Sequence, residues 1–181
     1  MGLFQNIAKL IISPKVGWED ISVTHTPAGR VLAGAYYPLL AALAVSCFVA
    51  MLYDRTLTLS TTLMTAIILF SAYFVTYFIT DYLLGGFYPE LSKTEGSSQR
   101  LADFVAYCLI YLVLLVIIGN VLPIDFTPIF FLMIYVVWIV YRGSEFLGIK
   151  ENKRWKFTLI ASAMLLFIPL IIEWFLKLII L

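Results

Sequence analysis

Five long runs of apolar residues dominate the chain, at roughly 31–53, 58–80, 102–122, 126–141 and 157–181. A helix needs about 20 apolar residues to cross a hydrocarbon core of about 30 Å. Inside a bilayer every backbone N–H and C=O group must be satisfied within the protein, which favours helices for runs of this length. The pattern therefore predicts an all-α integral membrane bundle of five transmembrane helices over residues 31–181.

Residues 1–30 precede this domain as a cytoplasmic or interfacial segment. Between residues 3 and 12, the apolar side chains fall on one helical stripe: Leu3, Phe4, Ile7, Leu10 and Ile11. A short helix with one apolar face is typical of an amphipathic segment that lies among lipid headgroups. Pro14 is expected to end it and to lie at the membrane interface. Trp18 then serves either as an interfacial anchor or as a core-packing residue, and the pattern leaves both open.

Basic residues alternate across the five runs. Ten of the twelve fall before the first run, between the second and third, or between the fourth and fifth: Lys9, Lys15, Arg30, Lys93, Arg100, Arg142, Lys150, Lys153, Arg154 and Lys156. Only Arg55 and Lys177 lie on the other side. Because short loops rich in Lys and Arg stay in the cytoplasm, this asymmetry predicts the cytoplasmic membrane, with the N-terminus inside and the C-terminus outside.

Within the spans, two features concern packing. Pro38 removes a backbone donor and predicts a kink near residues 34–38. The second run carries small and hydroxyl-bearing residues at helical spacing: Thr58, Thr62, Thr65, Leu69, Ala72, Thr76 and Thr80. Such a stripe favours close helix packing, with a polar translocation path as the alternative. After this run, Gly85 and Gly86 are expected to form a turn.

Interfacial positions are also expected at the end of the chain. Trp155 and Trp174 bracket the last run, and nineteen residues at about 1.5 Å each separate them by roughly 28 Å, close to the hydrocarbon thickness. Charges in a terminal span can mark a coupling site. Here the tryptophan spacing places Glu173 and Lys177 at the outer interface, where a separation of four residues lets them pair. Arg142, after the fourth run, is expected to snorkel to the inner face.

Polar chemistry is sparse. Asp81, Arg100 and Asp103 are candidates for a polar cluster at the cytoplasmic mouth of the second and third spans. Cys47 and Cys108 fall inside runs and His25 is the single histidine, so no catalytic, cofactor or metal site is expected. A formal net charge of +1 argues against a nucleic-acid partner. Membrane lipids, and a protein partner or a second copy of the chain, are the expected partners.

The order of several short motifs resembles the Ypt-interacting protein (Yip) family in its short bacterial form. The residues that carry the resemblance are Pro14-x-x-x-Trp18-x-x-Ile21, Gly85-Gly86, the stretch from Arg100 to Tyr107, Trp138 with Tyr141-x-Gly143, and Leu147-Gly148. The resemblance covers nearly the whole chain. It implies a five-helix bundle with a cytoplasmic N-terminal segment. Eukaryotic members of this family are adaptors that contact Rab-type GTPases and one another.

Three classes of function follow. The first is a non-enzymatic multi-pass membrane protein of the Yip type that organises membrane or protein partners, which is the interpretation we adopt. The alternative is a small transporter or lipid-handling protein, supported by the threonine stripe and Pro38. An intramembrane enzyme is the third, and it would require Asp81 and Asp103 to meet as a carboxylate pair.

Overall fold

The computed structural model describes residues 3–24, 28–91, 95–122 and 128–180. In these ranges the regular structure is helical. Its elements are α1 (Leu3–Ile12), α2 (Pro14–Thr24), α3 (Ala28–Val31), a π-helical turn (Leu32–Tyr36), α4 (Tyr37–Ala50), α5 (Leu59–Phe87), a 3-10 turn (Pro89–Leu91), α6 (Glu95–Val121), α7 (Pro128–Ile134), α8 (Val136–Phe146) and α9 (Glu151–Ile180). The predicted all-α class is confirmed.

Within the described ranges, four helices are long and apolar enough to cross a membrane: Gly29–Ala50, Leu59–Phe87, Gly96–Val121 and Glu151–Ile179. They correspond to the first, second, third and fifth predicted runs. The π-helical turn lies at the predicted kink, directly before Pro38, which has no N–H to donate.

The fourth predicted run does not form one helix of spanning length within the described residues. It is divided between α7 and α8 by a turn at Tyr135, whose N–H donates to the Leu132 carbonyl at 3.0 Å. The Tyr135 side chain is turned toward the N-terminal segment, because its hydroxyl donates to the Ile11 carbonyl at 3.3 Å. Residues 126 and 127 of the predicted run lie outside the described part of the chain.

The turn predicted at Gly85 and Gly86 is wrong, because both glycines lie inside the last turns of α5. A glycine costs a helix only about 1 kcal/mol, so the pair alone does not end it. The helix stops at Tyr88, before Pro89, because the residue before a proline disfavours the helical conformation. Among the described glycines a positive φ occurs at Gly148 (72°), which follows α8.

Helix α6 is the centre of the bundle. Every residue from Asp103 to Val113 is at most 8 % exposed, so this stretch is covered on all sides. Its neighbours include α4, α5 and α8, while α9 packs against α5 and α8. Buried members of the threonine stripe (Thr62, Thr76 and Thr80) lie on α5. The Thr76 hydroxyl donates to the Ala72 carbonyl at 2.7 Å, which satisfies it within its own helix.

The direction of α7 and α8 follows from three contacts along α6. Near its C-terminus, the Asn120 amide donates to the Ser46 hydroxyl of α4 at 3.0 Å. In the middle, the Tyr111 hydroxyl donates to the Leu132 carbonyl at 2.6 Å. Near its N-terminus, Phe104 lies close to Gly143 of α8. The α7–α8 pair therefore runs antiparallel to α6, toward the end of the bundle where α6 begins.

At that end Trp18 is buried, with only 3 % of its surface exposed. Its indole stacks between Phe104 of α6, with ring centroids 5.5 Å apart, and Phe146 of α8, at 5.1 Å. The indole N–H donates to the Ile139 carbonyl at 3.0 Å. The interfacial placement predicted for Trp18 is wrong and the core-packing alternative holds, because three aromatic rings and a carbonyl acceptor enclose both the apolar and the polar part of the indole.

Helices α1 and α2 form a hairpin on the same end. Ile7 and Leu10 of the predicted stripe are 8 % and 1 % exposed, so protein rather than lipid covers them. The side chains of Leu3 and Phe4 lie outside the described part of the chain. Pro14 is buried and begins α2, as its missing N–H allows at a first helical position, and its interfacial placement stays a prediction. A salt bridge between Lys9 and Asp20 joins the two helices.

Gly17 sets the distance between α1 and α2. A β-carbon at this position would lie 2.5 Å from the Leu10 Cα and 2.6 Å from its backbone nitrogen. We expect Gly17→Ala to reduce the free energy of unfolding by about 1–3 kcal/mol, the usual cost of overpacking. Thermal unfolding in detergent measures this. In the control Gly29→Ala, where nothing lies within 4 Å of the added carbon, stability should be unchanged or slightly higher. Equal stability of the two variants would contradict the close approach.

Trp18 holds the hairpin on the bundle. Trp18→Ala is expected to cost about 3–5 kcal/mol, as buried tryptophan truncations do, and to expose residues 3–24 to protease. Limited proteolysis in bilayer discs measures the exposure. Trp155→Ala is the control, since Trp155 is 61 % exposed and should tolerate the change. A hairpin that stays protected in Trp18→Ala would show that this side chain does not dock it.

Candidate functional site

A polar cavity of about 430 Å³ lies where α2, α6 and α8 meet, and we call it the Asp103 cavity. Residues of all three helices line it, and the lining includes Ile21, Ser22, Arg100, Asp103, Tyr107 and Phe146. Phe146 also belongs to the aromatic cluster around Trp18. The hairpin therefore supplies one wall of the cavity, and the docking of Trp18 holds that wall in place.

Asp103 is the unusual group in this cavity. The residue is 8 % exposed, and its Oδ1 atom has no hydrogen-bond partner. Arg100 lies one helical turn earlier on α6 and is exposed. Within the described ranges no salt bridge joins Arg100 to Asp103. A buried carboxyl oxygen without a donor is costly, because it has given up water without a replacement.

Asp81 does not belong to this cavity, so the predicted cluster of three is only partly correct. Asp81 lines a separate cavity of about 600 Å³, together with Gly85, Gly86, Ser98 and Leu101. The helical period explains the division, since Leu101 and Asp103 are two residues apart and point to different sides of α6. The two carboxyl groups thus line different cavities, which removes the arrangement that a carboxylate pair would need.

Charged side chains of the α8–α9 connection pair at the same end of the bundle. Arg154 contacts Glu145 at 2.9 Å, and Arg142 lies 4.0 Å from the same carboxylate. Lys153 lies 3.7 Å from Glu90, which follows α5. Together with Arg100 and the hairpin, these contacts gather basic residues from separate parts of the sequence on one end. Arg142, Lys153 and Arg154, three of the ten basic residues that the sequence predicts on one side of the membrane, therefore lie at this end.

An aromatic groove beside these pairs was missed by sequence reasoning. Trp138, Tyr141 and Trp155 line a cavity of about 660 Å³ with Arg142, whose guanidinium lies 4.6 Å from the Trp138 ring centroid. Trp138 and Tyr141 are one helical turn apart, and their rings stack at 5.8 Å. That spacing was the available signal, but α9 supplies Trp155 only once the helices are packed.

The C-terminal half of α9 contains the predicted pair of charges. Lys177 contacts Glu173 at 2.6 Å, which confirms their pairing on one helical face. Trp155 and Trp174 are 61 % and 66 % exposed, so both indoles are free to contact lipid. Their interfacial placement stays a prediction.

The Asp103 cavity offers groups that could recognise a ligand: one cation, one carboxyl oxygen without a donor, the hydroxyls of Ser22 and Tyr107, and aromatic walls. Within the described ranges no group of three or more His, Cys, Asp or Glu side chains could hold a metal ion. Cys47 and Cys108 are free thiols, both buried.

Segments far apart in the sequence converge on Trp18. A β-carbon at Gly143 would lie 2.6 Å from the Phe104 ring and 2.9 Å from the Trp18 ring, so three segments of the chain pack with no space to spare. Trp18, Phe104 and Gly143 of this cluster are among the residues that carry the sequence resemblance.

The chain matches none of the curated proteins and none of the solved structures with which it was compared. The Yip1 domain family matches it over residues 8–173, which include the hairpin from Ala8 onward, the central helix and most of α9. The chain therefore belongs to the Yip family and is a multi-pass membrane protein.

Proposed function

We propose that this protein organises protein partners or the bilayer of the cytoplasmic membrane without catalysing a reaction, and that it does so through the end of the bundle that carries the α1–α2 hairpin. The observation that carries the proposal is the docking of the hairpin by Trp18 onto α6 and α8. Because of this docking, residues 3–24 form a fixed surface on the bundle rather than an unattached N-terminal segment. Basic residues around it favour contact with anionic headgroups, at about 1 kcal/mol each near the surface.

The proposal includes five crossings with the N-terminus inside. Helices α7 and α8 span residues 128–146, and 19 residues at about 1.5 Å each reach roughly 28 Å, close to the hydrocarbon thickness. They run antiparallel to α6 and end beside the hairpin, which supports a return crossing despite the turn at Tyr135. The positive-inside rule then places this end in the cytoplasm and the end of α9 outside.

Cysteine labelling tests the topology, because the native Cys47 and Cys108 are only 5 % and 0 % exposed and give little background. We expect an impermeant maleimide to label Asp54→Cys in intact cells and to label Lys150→Cys only after the membrane is opened. Lys15→Cys is the matched inner control. Labelling of Lys150→Cys from outside would show that α7 and α8 do not cross.

Reconstitution tests the organising role. One measurement is energy transfer between copies that carry different fluorophores in vesicles, which reports self-association. The other is purification of the chain from native membrane in polymer-bounded discs, which reports captured proteins. We expect at least one of the two to give a positive result. Trp18→Ala should weaken whichever association is found, because it releases the hairpin, whereas Trp155→Ala should leave it intact. An absence of self-association, of captured partners and of any effect on vesicle shape would refute the proposal.

A further inference from the structure

The Asp103 cavity combines features that point to a ligand rather than to packing. Asp103 is more than nine-tenths buried, lines the cavity, and keeps one carboxyl oxygen without a donor. Its volume of about 430 Å³ falls in the range of about 300–1,000 Å³ that is common for small-molecule sites. A donor from outside the chain would satisfy the oxygen.

Arg100 supplies the opposite charge at the mouth of the same cavity. It is exposed, and α6 places it one turn from Asp103, so their β-carbons are about 5–6 Å apart. The two charges do not form a salt bridge with each other within the described ranges. A ligand with a cation and an anion at a similar separation would bind both at once.

The geometry points to a phosphodiester-linked primary amine, the chemistry of a phosphatidylethanolamine headgroup, as the ligand of this cavity. Its ammonium donates to the unpartnered Asp103 oxygen, and its phosphate accepts from the Arg100 guanidinium. The inference rests on the proposed placement of this end at the cytoplasmic leaflet, where such headgroups lie beside the cavity.

The unpartnered oxygen also distinguishes among headgroups. A primary ammonium has three N–H donors, whereas a trimethylammonium group has none and leaves the Asp103 oxygen unsatisfied. A glycerol headgroup carries hydroxyl donors but no positive charge for the carboxylate. The cavity is therefore selective for an ethanolamine headgroup over choline and glycerol headgroups that have the same phosphate.

Native mass spectrometry of the full chain, released from vesicles with equal amounts of phosphatidylethanolamine, phosphatidylcholine and phosphatidylglycerol, tests this. We expect the wild type to retain phosphatidylethanolamine over phosphatidylcholine by about tenfold or more, the factor set by one hydrogen bond to a charged group. Asp103→Asn should abolish that preference. Arg100→Gln should weaken retention of phosphatidylethanolamine. In the controls Asp81→Asn and Arg55→Gln, which alter charges outside this cavity, the preference should remain.

A second variant leaves both charges in place. Gly96 lines the cavity and has nothing within 4 Å of an added β-carbon, so Gly96→Leu fills space without displacing a neighbour's backbone. It should also lower retention. A free phosphoethanolamine competitor distinguishes the sources of the headgroup: displacement of lipid assigns the site to the membrane, and binding of the soluble amine with no lipid retained assigns it to the cytoplasm.

Equal retention of the ethanolamine and choline lipids by the wild type, with no binding of free phosphoethanolamine, would overturn the inference. So would a preference that survives Asp103→Asn in a folded protein. Self-association and partner capture are measured separately, so loss of the lipid preference with association intact would refute this site and leave the proposed organising role standing.

Discussion

The enclosure of one indole ring is the interaction on which the arrangement of this protein depends. Burying an aromatic side chain removes about 150–250 Å² from solvent, which at about 25 cal/mol per Å² is worth roughly 4–6 kcal/mol. Trp18 gains this stabilisation by stacking between Phe104 and Phe146, and its indole N–H donates to the Ile139 carbonyl. This one contact joins residues 3–24 to helices more than 80 residues later in the chain.

The docked hairpin changes which groups are presented at the end of the bundle where α6 begins. Without it, the ends of α6 and α8 would meet solvent and lipid directly, and the Asp103 cavity would lack the wall that Ile21 and Ser22 provide. With it, a cation, a buried carboxyl group and aromatic surfaces share one recess. The same packing demands small residues at Gly17 and Gly143, where a single β-carbon would collide with a neighbour.

Hydrophobic pattern alone predicted the class of the protein and four of its long helices, because a bilayer makes length and apolarity decisive. It also predicted the Glu173–Lys177 pair, which depends only on spacing within one helix. The pattern failed where tertiary contacts or later residues determine the structure. Trp18 is a residue type that is common at membrane interfaces, but its indole lies in the core. Gly85 and Gly86 remain helical, and α5 ends only before Pro89. Asp81 and Asp103 line different cavities because of how α6 is oriented in the bundle. Their positions in the sequence do not reveal that orientation.

The most direct test of the central claim is the solvent and lipid exposure of Trp18 in a bilayer. A variant that keeps Trp18 and replaces Trp138, Trp155 and Trp174 by Phe reports its fluorescence alone, and a second variant that keeps only Trp155 is the reference. We expect iodide and headgroup-level brominated lipids to quench Trp155 and to leave Trp18 nearly unaffected. Equal quenching of the two would place Trp18 at the membrane surface and contradict its burial between α6 and α8.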